Sequence, residues 1–439
     1  MTATASGARE RIDMPSAIVT PDPFDTRRLL PDRPAASWSE HLGRLGPLPA
    51  RRAAEVMAGL DAAGLRGRGG AGFPAARKLA AVADAVAASR LPAVVVANCC
   101  EGDPTSAKDT VLIDRSPHLV IDGALVAAAA VGADRVVLAG HQGSSVLRTL
   151  DRALPQRPAA AVTVEPFAMP ARYLASEASS LVRMLNTGDA RPLGRLAPIW
   201  RSGVDGRPTL VANAETLAQL ALLARFGPEW FTAIGTPAEP GTTLVTVGGA
   251  VPRPGVVEVP TGTPVRDLLA CAGAPPAGWA LVGGLAGGWL DLGRAAGVGF
   301  DADELRAAGA ARGVGSITVL PPRACVLAET ARIVAHQAQA GARQCGPCMF
   351  GLPAIADDLA GLFAGDRSAL GRLRRRLPAV DGRGACGHPD GTVGLAAKAL
   401  AALATEPGHL EQHLAGRSCR ASAAIPLTAA AAAPVGARS

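Results

Sequence analysis

The chain has 439 residues, room for about three domains. Apolar residues make up 49% and charged residues 18%, which supplies a sizeable core and excludes a disordered chain. The net charge of +7 comes from scattered arginines, and with 3% aromatic residues to stack on unpaired bases the composition argues against nucleic acid as a partner.

No stretch reaches the roughly 18 uninterrupted apolar residues of a membrane helix, and Met1 to Pro15 lack a signal-peptide apolar region. A cytoplasmic protein without a direct membrane span is expected. In that setting the 8 cysteines read as metal-binding, catalytic or buried rather than disulfide-bonded.

In chain order, residues 1–50 are rich in Pro, Arg and Asp without sustained periodicity, which predicts an extended N-terminal arm with one short helix. From Arg51 the pattern alternates: helix to Ala62, glycine loop, helix from Pro74 to Ser89, strand from Ala93 to Ala97, polar loop, helix from Pro117 to Val131, strand from Arg135 to Ala139. Strands alternating with helices predict an α/β domain over 51–238 with a largely parallel sheet and ligands at the carboxyl ends of its strands. Strand signals at Leu244 to Val247 and Val256 to Val259, then a helix opened by Thr263-Pro264, predict a small β-plus-helix module over 239–322. The helical spacing from Ala324 to Ala340, stopped by Gly341, and the Ala/Leu-rich helices after Cys348 and Val393 predict a helical bundle over 323–420. The Ala-rich segment 421–439 is expected to be a disordered tail.

Gly64 to Pro74 contains G-x-G-x-x-G at Gly67, Gly69 and Gly72. A helix rather than a strand precedes it, so the dinucleotide fingerprint is incomplete. The physics remains: glycines let backbone N–H groups approach a ligand, Pro74 opens a helix whose N-terminus favours anions, and Arg66, Arg68 and Lys78 add positive charge. The strand Val94 to Ala97 leads into Asn98-Cys99-Cys100-Glu101-Gly102-Asp103-Pro104, a loop whose carboxylates suit ribose or flavin-ring hydrogen bonds. His118 reads as a helix-start residue, and Cys99-Cys100 as packing. Tyr173 to Glu177 and Val211 to Thr216 form further polar islands, and lysine, asparagine and tyrosine, scarce in this chain, recur in these segments.

With these four segments in this order, the chain resembles, from about Arg51 to Ala415, the family of flavoprotein (NADH-binding) subunits of respiratory complex I and their relatives in hydrogenases and formate dehydrogenases. The resemblance implies an FMN-binding α/β domain, a β-grasp module of the soluble-ligand-binding (SLBB-like) kind, and a helical bundle holding a 4Fe-4S cluster. By motif match, Gly67, Arg68, Gly69, Lys78, Asn98, Glu101, Tyr173, Glu177 and Asn213 would line the flavin site, with Phe73 and Asp103 facing the nicotinamide nucleotide. The chain also departs from the pattern. Cys100 stands where the family has Asp, Asp103 where it has Glu, Ala178 for the second of two glutamates, Ala212 for the first of two asparagines, and Ala81 for the adenine-stacking aromatic. Each lost polar contact costs about 0.5 to 1.5 kcal/mol, so NAD(H) binding is expected to be weakened while the flavin remains.

Cys345-Gly346-Pro347-Cys348 and the later Cys386 fall in the helical region. Spacing alone fits an iron–sulfur site, a redox dithiol, or zinc held by Cys345, Cys348, Cys386 and His388. The resemblance favours the cluster, yet its C-x-x-C-x-x-C run has Ala342 at the first position here, leaving three cysteine ligands. His388, Cys325, Cys419 or a partner group could be the fourth, and a 3Fe-4S cluster needs none. Cys271 is expected in the core of the β module. The expected function is electron transfer from a reduced nicotinamide or other donor, through FMN and an iron–sulfur cluster, to a ferredoxin-like or other electron-transfer protein, within a larger redox complex. The alternative is a degenerate homologue acting as a scaffold with a structural zinc or no metal.

Overall fold

The computed structural model describes residues 27–31, 34, 36–194, 198–415, 419 and 423–427. Of the predicted arm, Leu29 and Leu30 are fully buried, their amides donating to the buried carboxylate of Glu258, and one short helix follows, α1 (Trp38–Leu45).

Among the described residues the first sheet is four-stranded in the order β3-β2-β1-β4, all parallel: β1 (Ala93–Asn98), β2 (Ala133–His141), β3 (Thr163–Met169) and β4 (Thr209–Asn213). Alternate residues of β1 enter different cores, Val95 and Ala97 on one face, Val94 and Val96 on the other. A strand covered on both faces has to be a continuous apolar run, which is how Ala93 to Ala97 reads. The flanking helices are α2 (Ala53–Ala63), α3 (Ala75–Ser89), α4 (Lys108–Arg115), α5 (Pro117–Val131), α6 (Ser145–Ala153), α7 (Ala178–Thr187) and α8 (Ala214–Thr232). Helix α5 is apolar on nearly all sides and buried accordingly. It meets α8 so closely that a Cβ on Gly123 would stand 1.8 Å from the Leu217 carbonyl oxygen, so only glycine fits there. Buried Asp122 on the same helix pairs with Arg157, Arg225 and His41, tying α1 and α8 to it. His118 is a buried helix-start residue packed on Trp38 and His41.

Among the described residues the second sheet is five-stranded and mixed, β6-β5-β9-β7-β8, formed by β5 (Thr242–Gly249), β6 (Gly255–Pro260), β7 (Trp279–Val282), β8 (Gly288–Asp291) and β9 (Ser316–Val319), with α9 (Val265–Cys271) and the short α10 (Ala302–Ala307) packed on it. Cys271 is partly buried against its core. The C-terminal part is helical: α11 (Val326–Ala340), α12 (Leu352–Phe363), α13 (Arg367–Val380), α14 (His388–Ala404) and α15 (Pro407–Leu414), with one wide π turn at Pro347–Gly351 before α12. Most of the expected tail, 421–439, lies outside the described residues. Within it, residues 423–427 differ from the expectation: Ile425 is buried in the helical core, and the amides of Ala424 and Ile425 donate to the Glu329 carboxylate at 3.1 and 3.2 Å. Among the described residues no helix is long and apolar enough to cross a membrane.

Candidate functional site

Strands β2 and β3 extend the sheet on one side of β1 and β4 adds to the other, so the direction of chain progress reverses between β1 and β4. At such a switch point the loops leaving the two strands diverge and open a crevice. Asn98 and Asn213 are register partners at the carboxyl ends of these two strands, so the two sequence islands that carry them become one place.

The glycine loop lies across this crevice. It closes on itself through Gly67 N–H donating to the Phe73 carbonyl at 2.9 Å and Ala75 N–H donating to the Leu65 carbonyl at 2.8 Å. Arg68 N–H donates to Thr216 Oγ1 at 2.8 Å, and a Cβ on Gly69 would come within 3.2 Å of the Asn213 Cβ, so a side chain there would press on the end of β4. Below the loop Lys108 Nζ is 2.7 Å from Asp109 and 2.9 Å from Glu215, Asn213 Nδ2 donates to Asp109 at 2.7 Å, and the Arg68 guanidinium is 3.9 Å from Glu215. All four charged groups are buried. Burial opposes the charge on Lys108, but Asp109 and Glu215 outweigh it and hold the ammonium above the ordinary lysine range. Burial likewise opposes the charge on Glu215, and Lys108 and Arg68 prevail to keep that carboxyl low.

The resulting cleft has a volume of about 350 Å³, within the range of small-molecule sites. Eight of the residues expected at the cofactor line it: Arg68, Gly69, Asn98, Glu101, Asp103, Tyr173, Glu177 and Asn213. Gly67, Phe73 and Lys78 are not in its lining. Gly67 holds the loop closed, Phe73 is 49% exposed beside Arg77, and Lys78 sits in the first turn of α3. Several lining carboxylates are already engaged. Glu101 accepts from Ser106 Oγ and from the Asp109 and Thr110 amides at the start of α4, and Glu177 caps α7 through the Ser179 and Ser180 amides. Asp103 accepts from Thr105 at 2.7 and 3.0 Å and from the Leu285 amide at 2.8 Å, while burial raises its carboxyl. Sequence reasoning misses the network residues Lys108, Asp109 and Glu215 as part of the cofactor site. The scarcity of lysine in the chain is the one signal for Lys108.

The fit to a phosphate-bearing flavin rests on Lys78. Lys78 has no carboxylate partner among the described residues, and desolvation lowers its proton affinity. An anion at the glycine loop would relieve Lys78. Buried Arg68 donates from Nη2 to the Thr242 carbonyl at 3.2 Å and faces Glu215, its Nε and Nη1 have no hydrogen-bond partner among the described residues, and burial pulls it down to about 10.

One wall of the cleft comes from the helical region: Gln337, Gly387, His388 and Gly391. His388 Nε2 lies 2.8 Å from the Gln337 carbonyl oxygen and its ring meets Tyr173 edge-on at 5.7 Å. The residue just before this wall is Cys386. Its thiol is raised by burial, by Glu177 and by Cys345, and the Cys348 thiol is pushed up to about 12 by burial and by Cys345 and Cys386. Cys345 and Cys386 both act on the Cys348 thiol, so the three cysteines share one neighbourhood. Three cysteines in one neighbourhood but not gathered on a single point fit three corners of an iron–sulfur cluster, whose ligands spread over several irons. With Nε2 on the Gln337 carbonyl, Nδ1 is the His388 nitrogen left for ligation. Cys325 and Cys419 belong to a different constellation, with His409 and His413.

The sequence matches three family models: the Nuo51 FMN-binding domain over residues 60–222, the SLBB domain over 244–294, and the NADH-ubiquinone oxidoreductase-F iron-sulfur binding region over 328–407. The second F subunit of the NADH-quinone oxidoreductases of Rhizobium meliloti is 28% identical over 382 residues, covering 82% of this chain and 89% of the relative. The NADH-quinone oxidoreductase F subunit of Mycobacterium tuberculosis is 30% identical over 317 residues, covering 68% of this chain and 71% of the relative. The chain belongs to the family of NADH-quinone oxidoreductase F subunits. A crystal structure of an NAD+-reducing NiFe hydrogenase in the H2-reduced state superposes on it with a TM-score of 0.73 at 27% identity, covering 86% of this chain and 67% of that one. The chain therefore carries the family's FMN-binding domain, SLBB module and iron–sulfur region, and its function is electron transfer by way of FMN and an iron–sulfur cluster.

Proposed function

We propose that this chain is the flavin- and cluster-bearing component of a larger redox assembly, that it takes electrons from a reduced donor at the cleft, and that a ferredoxin-like or other electron-transfer protein receives them. The observation that carries the reading is the shared wall: Gly387 and His388 line the cleft, and Cys386 precedes them directly in the chain. Bound FMN supplies the exchange between two-electron and one-electron chemistry, and an iron–sulfur cluster supplies the one-electron relay.

The chain's own part is binding, orientation and electrostatics. In this reading Lys78 and the start of α3 take the flavin phosphate, Asn98 and Asn213 face the ring system from paired strand ends, and the Lys108 network keeps the crevice rigid. Cys345, Cys348 and Cys386 hold three corners of the cluster, which favours a 3Fe-4S centre or a cube with one iron ligated from outside this set. Met349 and Phe350, 50% and 71% exposed directly after Cys348, offer an acceptor protein an apolar face beside the cluster.

NAD(H) is proposed to be a poor donor. Asp103 is shorter than the family's glutamate, and its carboxylate is taken by Thr105 and Leu285. Ala81 and Ala178 supply neither ring nor charge. The test is anaerobic purification followed by rapid mixing. About one FMN per chain, with iron and sulfide, and slow flavin bleaching by NADH compared with dithionite are the expected results. A colourless protein that fails to quench FMN fluorescence would refute the cofactor reading and leave a scaffold. Rapid bleaching by micromolar NADH would instead make NADH the donor.

A further inference from the structure

Away from the flavin cleft and the Cys345 turn, four other metal-ligating side chains converge. Cys325 is the N-cap of α11, His409 and His413 lie on α15, and Cys419 follows that helix. The spacing of the histidines puts both rings on one helical face. Cys325 Sγ is 3.4 Å from Nε2 of His409 and 3.4 Å from Nε2 of His413, and His409 Nε2 is 3.1 Å from Cys419 Sγ. All four donor atoms lie within 4.8 Å of one another.

We propose that Cys325, His409, His413 and Cys419 bind one zinc ion. Zn–S and Zn–N bonds of about 2.3 and 2.0–2.1 Å at tetrahedral angles separate sulfur from nitrogen by about 3.6 Å, within a few tenths of an ångström of the three sulfur–nitrogen distances just given. Two thiolates and two imidazoles around a single point select zinc among common metals, and four protein ligands leave no open position for catalysis. An iron–sulfur cluster spreads its ligands over several irons and does not suit donors this close.

The outer contacts point the same way. His409 Nδ1 is 3.1 Å from Glu406 Oε2 and His413 Nδ1 is 3.2 Å from the Phe363 carbonyl oxygen, which directs each Nε2 lone pair toward the thiols. Metal-binding histidines carry this kind of partner on the second nitrogen. Glu406 is itself fixed by Trp279 Nε1, which donates to its other oxygen at 2.9 Å. The ion would join the start of α11, the end of α12 and helix α15, and would work with the Glu329 clamp on Ala424 and Ile425 to hold the chain's last described segment. It is a structural centre separate from the electron route.

The test uses the full chain purified anaerobically from zinc-supplemented cells. Zinc-edge X-ray absorption on the wild type should give two sulfurs and two nitrogens at the bond lengths above, with one zinc per chain. Zinc content should fall at least about tenfold in the double variant His409→Ala/His413→Ala and persist in Cys345→Ser/Cys348→Ser. If the histidine variant fails to fold, the wild-type spectrum still decides. Absence of zinc, a first shell of three or four sulfurs, loss of zinc in the Cys345/Cys348 variant alone, or a Cys325–Cys419 disulfide in the anaerobic protein would overturn the proposal.

Discussion

Replacing Lys108 by methionine tests the electrostatic base of the flavin cleft. The ammonium stands 2.7 Å from Asp109 and 2.9 Å from Glu215, with Arg68 as the other cation of the group. Methionine keeps much of the volume and leaves one buried negative charge uncompensated, which typically costs about 3–5 kcal/mol. A second route gives the same size: if a carboxyl of ordinary pKa near 4 takes up a proton to restore neutrality, the cost at pH 7 is about 4 kcal/mol, falling to about 1.5 kcal/mol at pH 5. The sign follows from linkage. In the variant the folded-state carboxyl is raised above its unfolded value, so its stability is full at low pH and is lost as pH rises. The wild-type Glu215 is lowered, so its contribution is full above the ordinary carboxylate range, while burial raises Asp109 to about 6, so the wild type's own loss with rising pH ends near pH 6 and the variant's continues. The gap between wild type and Lys108→Met should therefore widen from pH 5 to pH 7. Native-state hydrogen exchange of the α4 and α8 amides reads it locally. A gap under about 1 kcal/mol at pH 7, or one that does not change with pH, would refute the reasoning.

Lys78→Ala should weaken FMN by about 10- to 150-fold, the worth of one charge-assisted contact, while leaving riboflavin unchanged. Equal losses in fluorescence-quenching titrations would remove Lys78 from the phosphate. Glu258, pushed up to about 7 by burial against the donors of Leu29, Leu30 and Thr242, should make anchoring of the N-terminal segment pH-dependent. Its carboxyl is raised, so the contribution is full below about pH 4.5 and lost through pH 7, about 3 kcal/mol in all. Protection factors of the Leu29 and Leu30 amides should fall between pH 5 and pH 8, and a flat profile would count against it.

The sequence by itself determined whatever rests on local backbone chemistry. The apolar run of β1, the largely apolar α5, the glycine loop with Pro74 opening the next helix, and the Cys345–Cys348 turn were each legible because strand burial, helix packing and tight turns leave their marks over a few neighbouring residues. Motif order then carried the family and its FMN and iron–sulfur regions. What the tertiary structure alone decided is which distant residues meet. Asn98 and Asn213 become partners only through the strand order, and Lys108 finds Glu215 only because α4 and α8 both start at that switch point. Cys325 and Cys419, read from sequence as candidate cluster ligands, instead join His409 and His413, and His388, two residues from Cys386, has its Nε2 against the Gln337 carbonyl. Spacing along the chain bounds how far apart two side chains can lie. It does not say which way a helix face turns, and that is fixed by packing across segments that no local pattern connects.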